Sequence, residues 1–295
     1  MIQGKLKKEN LKLENKIINR VVKNYPVNYD KTKRVLIIDA DSIMYFATHF
    51  PESSLMEFPT EQDRIEEAKY RTKSKIHEIH NNIDSYYNIQ ETFMFIGGGN
   101  NFRYDIFPNY KSNRKNKNEL IPIIADYMLE ELNAIPSVGA EADDYVYNAT
   151  VLSKGACVVA AIDKDVLYNC PDIPFYNYRS YKDTLGEFKC IDKLESRLAI
   201  ASQVVIGDSG DGIPGAKGVG KAWCRDNMHK NMTDYQFIKA IIKAYLKVNN
   251  GNFKDAKTQI RMYYGVLKLY TLEEIENLKK WFYQKQILVY LWFQH

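Results

Sequence analysis

Three apolar runs stand out along the chain, and each ends on polar chemistry. Val35-Leu36-Ile37-Ile38 leads into Asp39, Thr92-Phe93-Met94-Phe95-Ile96 into Gly97-Gly98-Gly99, and Cys157-Val158-Val159-Ala160-Ala161-Ile162 into Asp163-Lys164-Asp165. Unbroken apolar runs of this length predict strands buried on both faces of a parallel sheet, whose C-terminal ends open onto ligand sites. Between them the apolar spacing becomes helical: Ile65, Ala68, Ile76, Ile79 and Ile83 predict an amphipathic helix over 61–87, and Leu120 to Leu132 predicts another. Glu141-Ala142-Asp143-Asp144 opens a further helix through Asn148, with acids where a first helical turn favours them. Phe175 to Tyr181 and Glu187 to Ile191 predict a peripheral hairpin around Asp183-Thr184-Leu185-Gly186, Leu194 to Ile206 predicts a helix, and 221–295 is mostly helical. Strands alternating with helices predict an α/β core built on parallel strands.

Composition narrows the class without naming a chemistry. With 295 residues, 45% apolar and 26% charged, the chain can bury a full core as an ordinary globular protein. Its apolar runs are too short to cross a bilayer, and the lysine-rich stretch from Lys5 to Lys16 lacks the apolar block of a signal peptide, so a cytoplasmic protein is expected. Cys157, Cys170, Cys190 and Cys224 show no CxxC spacing, which argues against zinc. Charge is unevenly placed. Residues 1–34 carry ten Lys/Arg against Glu9, Glu14 and Asp30, a net of +7, leaving −3 for the rest of a chain whose total is +4. A basic arm suggests a polyanionic partner, and a solvated extension explains it equally well.

Two segments and a set of acids carry the candidate chemistry. Residues 102–117 interleave Phe102, Tyr104, Phe107 and Tyr110 with Arg103, Lys111, Arg114, Lys115 and Lys117. Single-stranded nucleic acid is bound by such mixtures, although a solvated loop with its aromatics tucked inward has the same composition. The stretch 207–221 holds Asp208 and Asp211, six glycines, and Lys217 and Lys221, so it reads as a loop whose amides face an anion. Asp39, Glu141, Asp143, Asp163, Asp165, Asp208 and Asp211 all stand at element ends, where mutual repulsion calls for cations. Oxygen-only donors select Mg²⁺ or Mn²⁺, and two such ions support in-line phosphoryl displacement.

These blocks together resemble the flap-endonuclease family of 5′ nucleases, which includes phage exonucleases and the N-terminal domain of bacterial DNA polymerase I. The resemblance rests on Leu36-Ile37-Ile38-Asp39, Phe102-Arg103 with Tyr110-Lys111-Ser112-Asn113-Arg114, Glu141-Ala142-Asp143-Asp144, Asp163-Lys164-Asp165 and Gly207-Asp208-Ser209-Gly210-Asp211, in family order over roughly 35–225. It implies a PIN-like α/β fold, with a parallel central sheet flanked by helices, a short helical arch near 103–135, and a helix-hairpin-helix element. Three regions follow: a basic arm over 1–34, a nuclease core over 35–206, and a helical region over 207–295. Asp39, Glu141, Asp143 and Asp163 would hold one ion, and Asp163, Asp165, Asp208 and Asp211 a second. Lys111 and Arg114 would grip the scissile phosphate, with Arg103 and Tyr110 also on DNA. Gly215, Lys217, Gly218, Gly220 and Lys221 would hold a duplex phosphate, with an associated K⁺. The implied partner of this monomer is DNA with a 5′ end, flap or junction, or an RNA–DNA hybrid. A lone nuclease without a fused polymerase is commonest in phages.

Two features depart from the family. Its usual metal-site aspartate after the second strand is replaced by Gly97-Gly98-Gly99, and only 26 residues separate Arg114 from Glu141, which shortens the arch. The missing acid motivates a second reading, a non-catalytic structure-selective DNA-binding protein. Gly215 to Lys221 also fits G-x-x-x-x-G-K, but Ala222 replaces the Ser/Thr of a nucleotide-binding loop, and the preceding residues are turn chemistry rather than strand. Asp144 reads as a helix-start acid, and His77 and His80 as a solvated helix face.

Overall fold

The computed structural model describes residues 33–54, 56–114, 118–179 and 186–283. The basic arm through residue 32 and the predicted hairpin turn at 183–185 lie outside the described residues. The chain divides into two compact units. One takes in the chain up to Asn100, Asn116–Val166 and Asp172–Cys190; the other takes in Asn101–Lys115, Leu167–Pro171 and the chain from Ile191.

The first unit is built on the predicted sheet. Strands β1 (Lys33–Asp39), β2 (Asn88–Ile96), β3 (Ile135–Pro136), β4 (Cys157–Ala160), β5 (Phe175–Asn177) and β6 (Glu187–Lys189) lie in the order β3-β2-β1-β4-β5-β6. All neighbours are parallel except β5 and β6, the predicted peripheral hairpin, which extends the sheet at its edge. Val35, Leu36, Ile37 and Ile38 are at most 1% exposed, as a central strand covered on both faces requires. Helices α1 (Asp41–Thr48), α2 (Glu61–Asp84), α4 (Leu120–Glu130), α5 (Ala142–Leu152) and the start of α6 (Lys164–Asn169) intervene, with α3 (Arg103–Ile106) and the end of α6 from Leu167 belonging to the second unit. The start of α2 is set by a capping box, in which the Thr60 hydroxyl accepts the Asp63 N–H and the Asp63 carboxylate accepts the Thr60 N–H, each at 3.1 Å. The core gathers Leu36, Ile38, Ile43, Ile79, Ile83, Met94, Ile96 and Ile124.

The second unit is helical: α7 (Lys193–Ile206), α8 (Lys221–Asn227), α9 (Asp234–Val248), α10 (Phe253–Leu267) and α11 (Leu272–Tyr283), with α3. Capping boxes at Asp192 and Thr233 start α7 and α9. Of the stretch 103–135 expected to form a short arch, α3 belongs to this unit and α4 to the other. Among the described residues of that stretch, the helices are the four-residue α3 and the eleven-residue α4. No helix among the described residues is long and apolar enough to cross a membrane.

Candidate active site

In the first unit, the ends of two adjacent parallel strands carry the same device. After β1 the backbone N–H of Asp41 donates to Asp39 Oδ1 at 3.2 Å, and after β4 the N–H of Asp165 donates to Asp163 Oδ1 at 2.8 Å. Each D-x-D thus folds its second residue back onto the first, an Asx turn that leads into a helix, α1 or α6. Because β1 and β4 pair directly, the two devices share one sheet edge. Asp39 is 4% exposed and Asp165 is buried, whereas Asp163 is exposed. The Tyr178 hydroxyl donates to the Asp39 carbonyl at 2.6 Å, holding the end of β1.

The third strand end supplies glycines, and the structure shows why. A side chain on Gly98 would place its Cβ 1.7 Å from the Ser137 carbonyl oxygen, where the chain after β3 runs alongside. The Gly98 N–H donates to Ser137 Oγ at 3.1 Å and the Ser137 N–H to the Ile96 carbonyl at 2.8 Å. At Gly97 the Cβ place lies 2.9 Å from Asp41 Oδ2, and Asp41 Oδ1 accepts the Gly97 N–H at 2.6 Å. A carboxylate therefore does stand at the end of β2, contributed by α1. Sequence reasoning missed Asp41, although Asp39-Ala40-Asp41 repeats the spacing of Asp163-Lys164-Asp165.

The electrostatics of this edge fit a cation. Burial, then the neighbouring Asp41 carboxylate, raise the Asp39 carboxyl from 3.8 to about 8; Asp163 adds to the rise, against the Asp41 N–H and a side-chain hydrogen bond with Asp143 that lower it. Like charges gathered in a buried place take up a proton when no metal neutralises them. Among the described residues, however, no three His, Cys, Asp or Glu side chains converge as an ion's ligands. The donors are the right chemistry, all oxygen, and their side chains must turn to close on an ion. Glu141 precedes α5 and Asp143 lies in its first turn. Asp144, fully buried, accepts the Glu141 N–H at 3.1 Å and is the helix-start acid expected of it.

The second unit brings together Lys111, Arg114, Tyr110 and Asp211. Arg114 Nη2 lies 3.0 Å from Asp211 Oδ1, Lys111 Nζ lies 3.8 Å from the same atom, and the Tyr110 hydroxyl donates to Asp211 Oδ2 at 3.1 Å. Asp208 receives neutral donors, the Gly210 N–H at 2.9 Å and the Gln203 amide at 3.4 Å. In the loop between α7 and α8, Gly207 and Gly215 cross so closely that a Cβ on either would fall 2.5 Å from the other's nitrogen, with φ of +83° and +65°. These two glycines serve the loop's own packing. Gly218 and Gly220 have open space before them, and Lys217 and Lys221 are exposed. The segment before this loop is α7, not a strand, so the nucleotide-loop spacing lacks its structural context.

Two DNA contacts expected from the sequence are corrected. Arg103 is 1% exposed, its Nε donates to the Val266 carbonyl at 2.8 Å and its Nη2 to the Lys268 carbonyl at 3.0 Å, so it closes the C-terminal end of α10 instead of touching DNA. Tyr110, at 2% exposure, is buried beside Phe107 in the second unit's core and offers no ring face for a base. Aromatic residues of 102–110 prefer the core because their apolar area is large, and only Tyr104 remains exposed, at 45%. Arg103→Met is expected to destabilise the protein by about 2–3 kcal/mol, since two carbonyls lose a charged donor. Denaturant unfolding measures this; an unchanged midpoint together with weaker DNA binding would restore the DNA role.

Comparison with known structures identifies the fold. The bacteriophage T5 D15 protein, crystallised with metal ions, superposes with a TM-score of 0.55 at 14% identity, covering 85% of this chain and 98% of that one. A T5 5′-exonuclease carrying zinc and the T5 D15 flap endonuclease in a pseudo-enzyme-product complex with DNA and metal ions each give 0.53, with the same identity and coverage. No family model matches the chain. The α/β architecture with a mostly parallel six-stranded sheet is thus the architecture of these T5 proteins.

Proposed function

We propose that this protein is a metal-dependent, structure-specific 5′ nuclease that hydrolyses phosphodiesters near the 5′ ends or flaps of DNA, in replication or repair. The observation that carries the reading is the pair of D-x-D acids at adjoining strand ends, Asp39-Ala40-Asp41 and Asp163-Lys164-Asp165, in a fold shared with T5 nucleases. Two Mg²⁺ or Mn²⁺ ions would neutralise the phosphate and lower the pKa of the attacking water. Asp39, Asp41, Asp143 and Asp163 are the residues that would hold them in the first unit, with Glu141 and Asp165 supporting. Asp41 takes the part that the resemblance gives to an aspartate after the second strand. In the second unit, Asp208 is the acid suited to a cation, and Lys111 and Arg114 bind phosphate as point charge and fork. The amides of Gly218 and Gly220, with Lys217 and Lys221, would hold duplex phosphates in a helix-hairpin-helix contact blind to sequence, with K⁺ as the accompanying ion.

The test is a labelled 5′-flap duplex titrated with Mg²⁺ and Mn²⁺. Cleavage is expected only with metal, and Asp163→Ala is expected to lose it while binding the duplex as the wild type does. Affinity falls steeply with salt as phosphate contacts release counterions. Binding without cleavage at any metal concentration would instead support the non-catalytic DNA-binding reading.

A further inference from the structure

Asp211 is tied to the basic loop through both its main chain and its side chain. Loop 107–114 and segment 208–213 are laced together in the second unit: the Lys111 N–H donates to the Asp211 carbonyl at 2.9 Å, and Asn113 Nδ2 donates to the Ser209 carbonyl at 2.6 Å. Gly212 allows the approach, since its Cβ place lies only 3.1 Å from the Asn109 carbonyl oxygen. Within this clasp both oxygens of Asp211 are engaged, Oδ1 by Arg114 and Lys111, Oδ2 by Tyr110.

We propose that Asp211 is a positioning residue that sets Lys111 and Arg114 as a pair for a DNA phosphate, rather than a ligand of the metal. The inference rests on reading those two cations as the phosphate grip. Two positive charges share the one Asp211 carboxylate, so both keep capacity for a phosphate, while each oxygen of Asp211 already has a protein partner. The Lys111 and Asp211 side chains are only 14% and 15% exposed, so solvent screens this pairing less than it would at the surface, while Arg114 at 51% keeps its fork accessible. Lys111 also has φ +55°, a left-handed conformation that a non-glycine residue keeps only when its surroundings hold it. The Lys111–Asp211 main-chain bond is such a hold. Ordering two long cationic side chains before DNA arrives removes part of the entropy lost on binding.

The experiment compares Asp211→Asn, Asp208→Asn, Lys111→Ala and Asp211→Asn/Lys111→Ala in the full chain. Mn²⁺ binding to DNA-free protein is read by calorimetry and flap-duplex affinity by anisotropy in Ca²⁺, with single-turnover cleavage in Mg²⁺ alongside. Asp211→Asn is expected to keep Mn²⁺ affinity within about twofold of wild type and to weaken duplex binding about tenfold. Adding it to Lys111→Ala should cost about threefold further, less than in the wild type, because only Arg114 is then left to be positioned. An Mn²⁺ equivalent lost in Asp211→Asn, as expected for Asp208→Asn, overturns the proposal, as does full independence from Lys111. Should Asp211→Asn fail to fold, Tyr110→Phe removes a single hydroxyl from the clasp. Weaker duplex binding with unchanged Mn²⁺ affinity then supports the proposal, and any other pattern overturns it. If wild type binds the duplex in Ca²⁺ yet never cuts it, the nuclease reading falls while the affinity and Mn²⁺ comparisons still decide Asp211.

Discussion

Asp39→Asn should abolish metal-dependent cleavage, by about a thousandfold or more, and at the same time stabilise the metal-free protein. The rate loss follows from removing a charged donor from the cation site in the proposed chemistry. The gain in stability follows from burial and crowding: Asp39 lies among Asp41, Asp143 and Asp163, and its carboxyl is raised to about 8 from 3.8. A carboxyl raised on folding makes its contribution to stability fully below the unfolded value and loses it as pH rises through the folded value. The wild type should therefore lose stability between about pH 4 and pH 8, and asparagine, which carries no charge at any pH, should escape that loss. Thermal melts in EDTA at pH 5 and pH 8.5 test this. A melting-temperature gap that does not widen with pH would remove the electrostatic account, and wild-type cleavage by Asp39→Asn would remove Asp39 from the site.

A methyl group on Gly98 should be among the most damaging small changes in the protein. Its Cβ would meet the Ser137 carbonyl oxygen at 1.7 Å, and that oxygen belongs to backbone that cannot rotate away. Gly98→Ala is expected to cost about 3 kcal/mol, at the upper end of overpacking effects, and to push the chain after β3 off the end of β2. Gly97→Ala should behave differently, because its obstacle is the end of a side chain, Asp41 Oδ2 at 2.9 Å. Its stability loss should be about 1 kcal/mol, and it should weaken Mn²⁺ binding by displacing Asp41. Asp41→Ala should relieve the loss in Gly97→Ala, giving a less than additive pair in denaturant unfolding. Equal effects at the two glycines, or strict additivity of Gly97→Ala with Asp41→Ala, would contradict the close approach of Asp41 to Gly97.

The strands of the core and their acid tips were legible because a run such as Val35 to Ile38 has only one comfortable place, inside a parallel sheet. Helix starts at Thr60, Asp192 and Thr233 rest on capping boxes between residues three apart, a local signal that the apolar spacing alone did not use: it began the second of these helices at Leu194 and set no start near 233. Asp144 follows the same local rule. The apparent gap at Gly97 to Gly99 was misleading for a physical reason: the sequence shows which residues follow a strand, not which neighbouring carboxylate leans into the space. Asp41 leans there from α1, 56 positions away from the Gly97 N–H it accepts.

The same distinction separates the basic segment's composition from its roles. Aromatics interleaved with cations looked equally suited to stacking on bases and to filling a core, since local pattern does not weigh one burial against the other. The chain's own packing decides it, taking Phe102, Phe107 and Tyr110 inward and leaving Arg103 on the last carbonyls of α10. By itself, then, the sequence determined the strands, the acids that tip them and the helix-start acid Asp144, all set by spacings of a few residues. Only the tertiary structure decided strand order, the filling of the Gly97 position by Asp41, and the pairing of Asp211 with Arg114 across 97 residues and with Tyr110 across 101. Contacts of that span depend on how whole elements pack, and no local period records them.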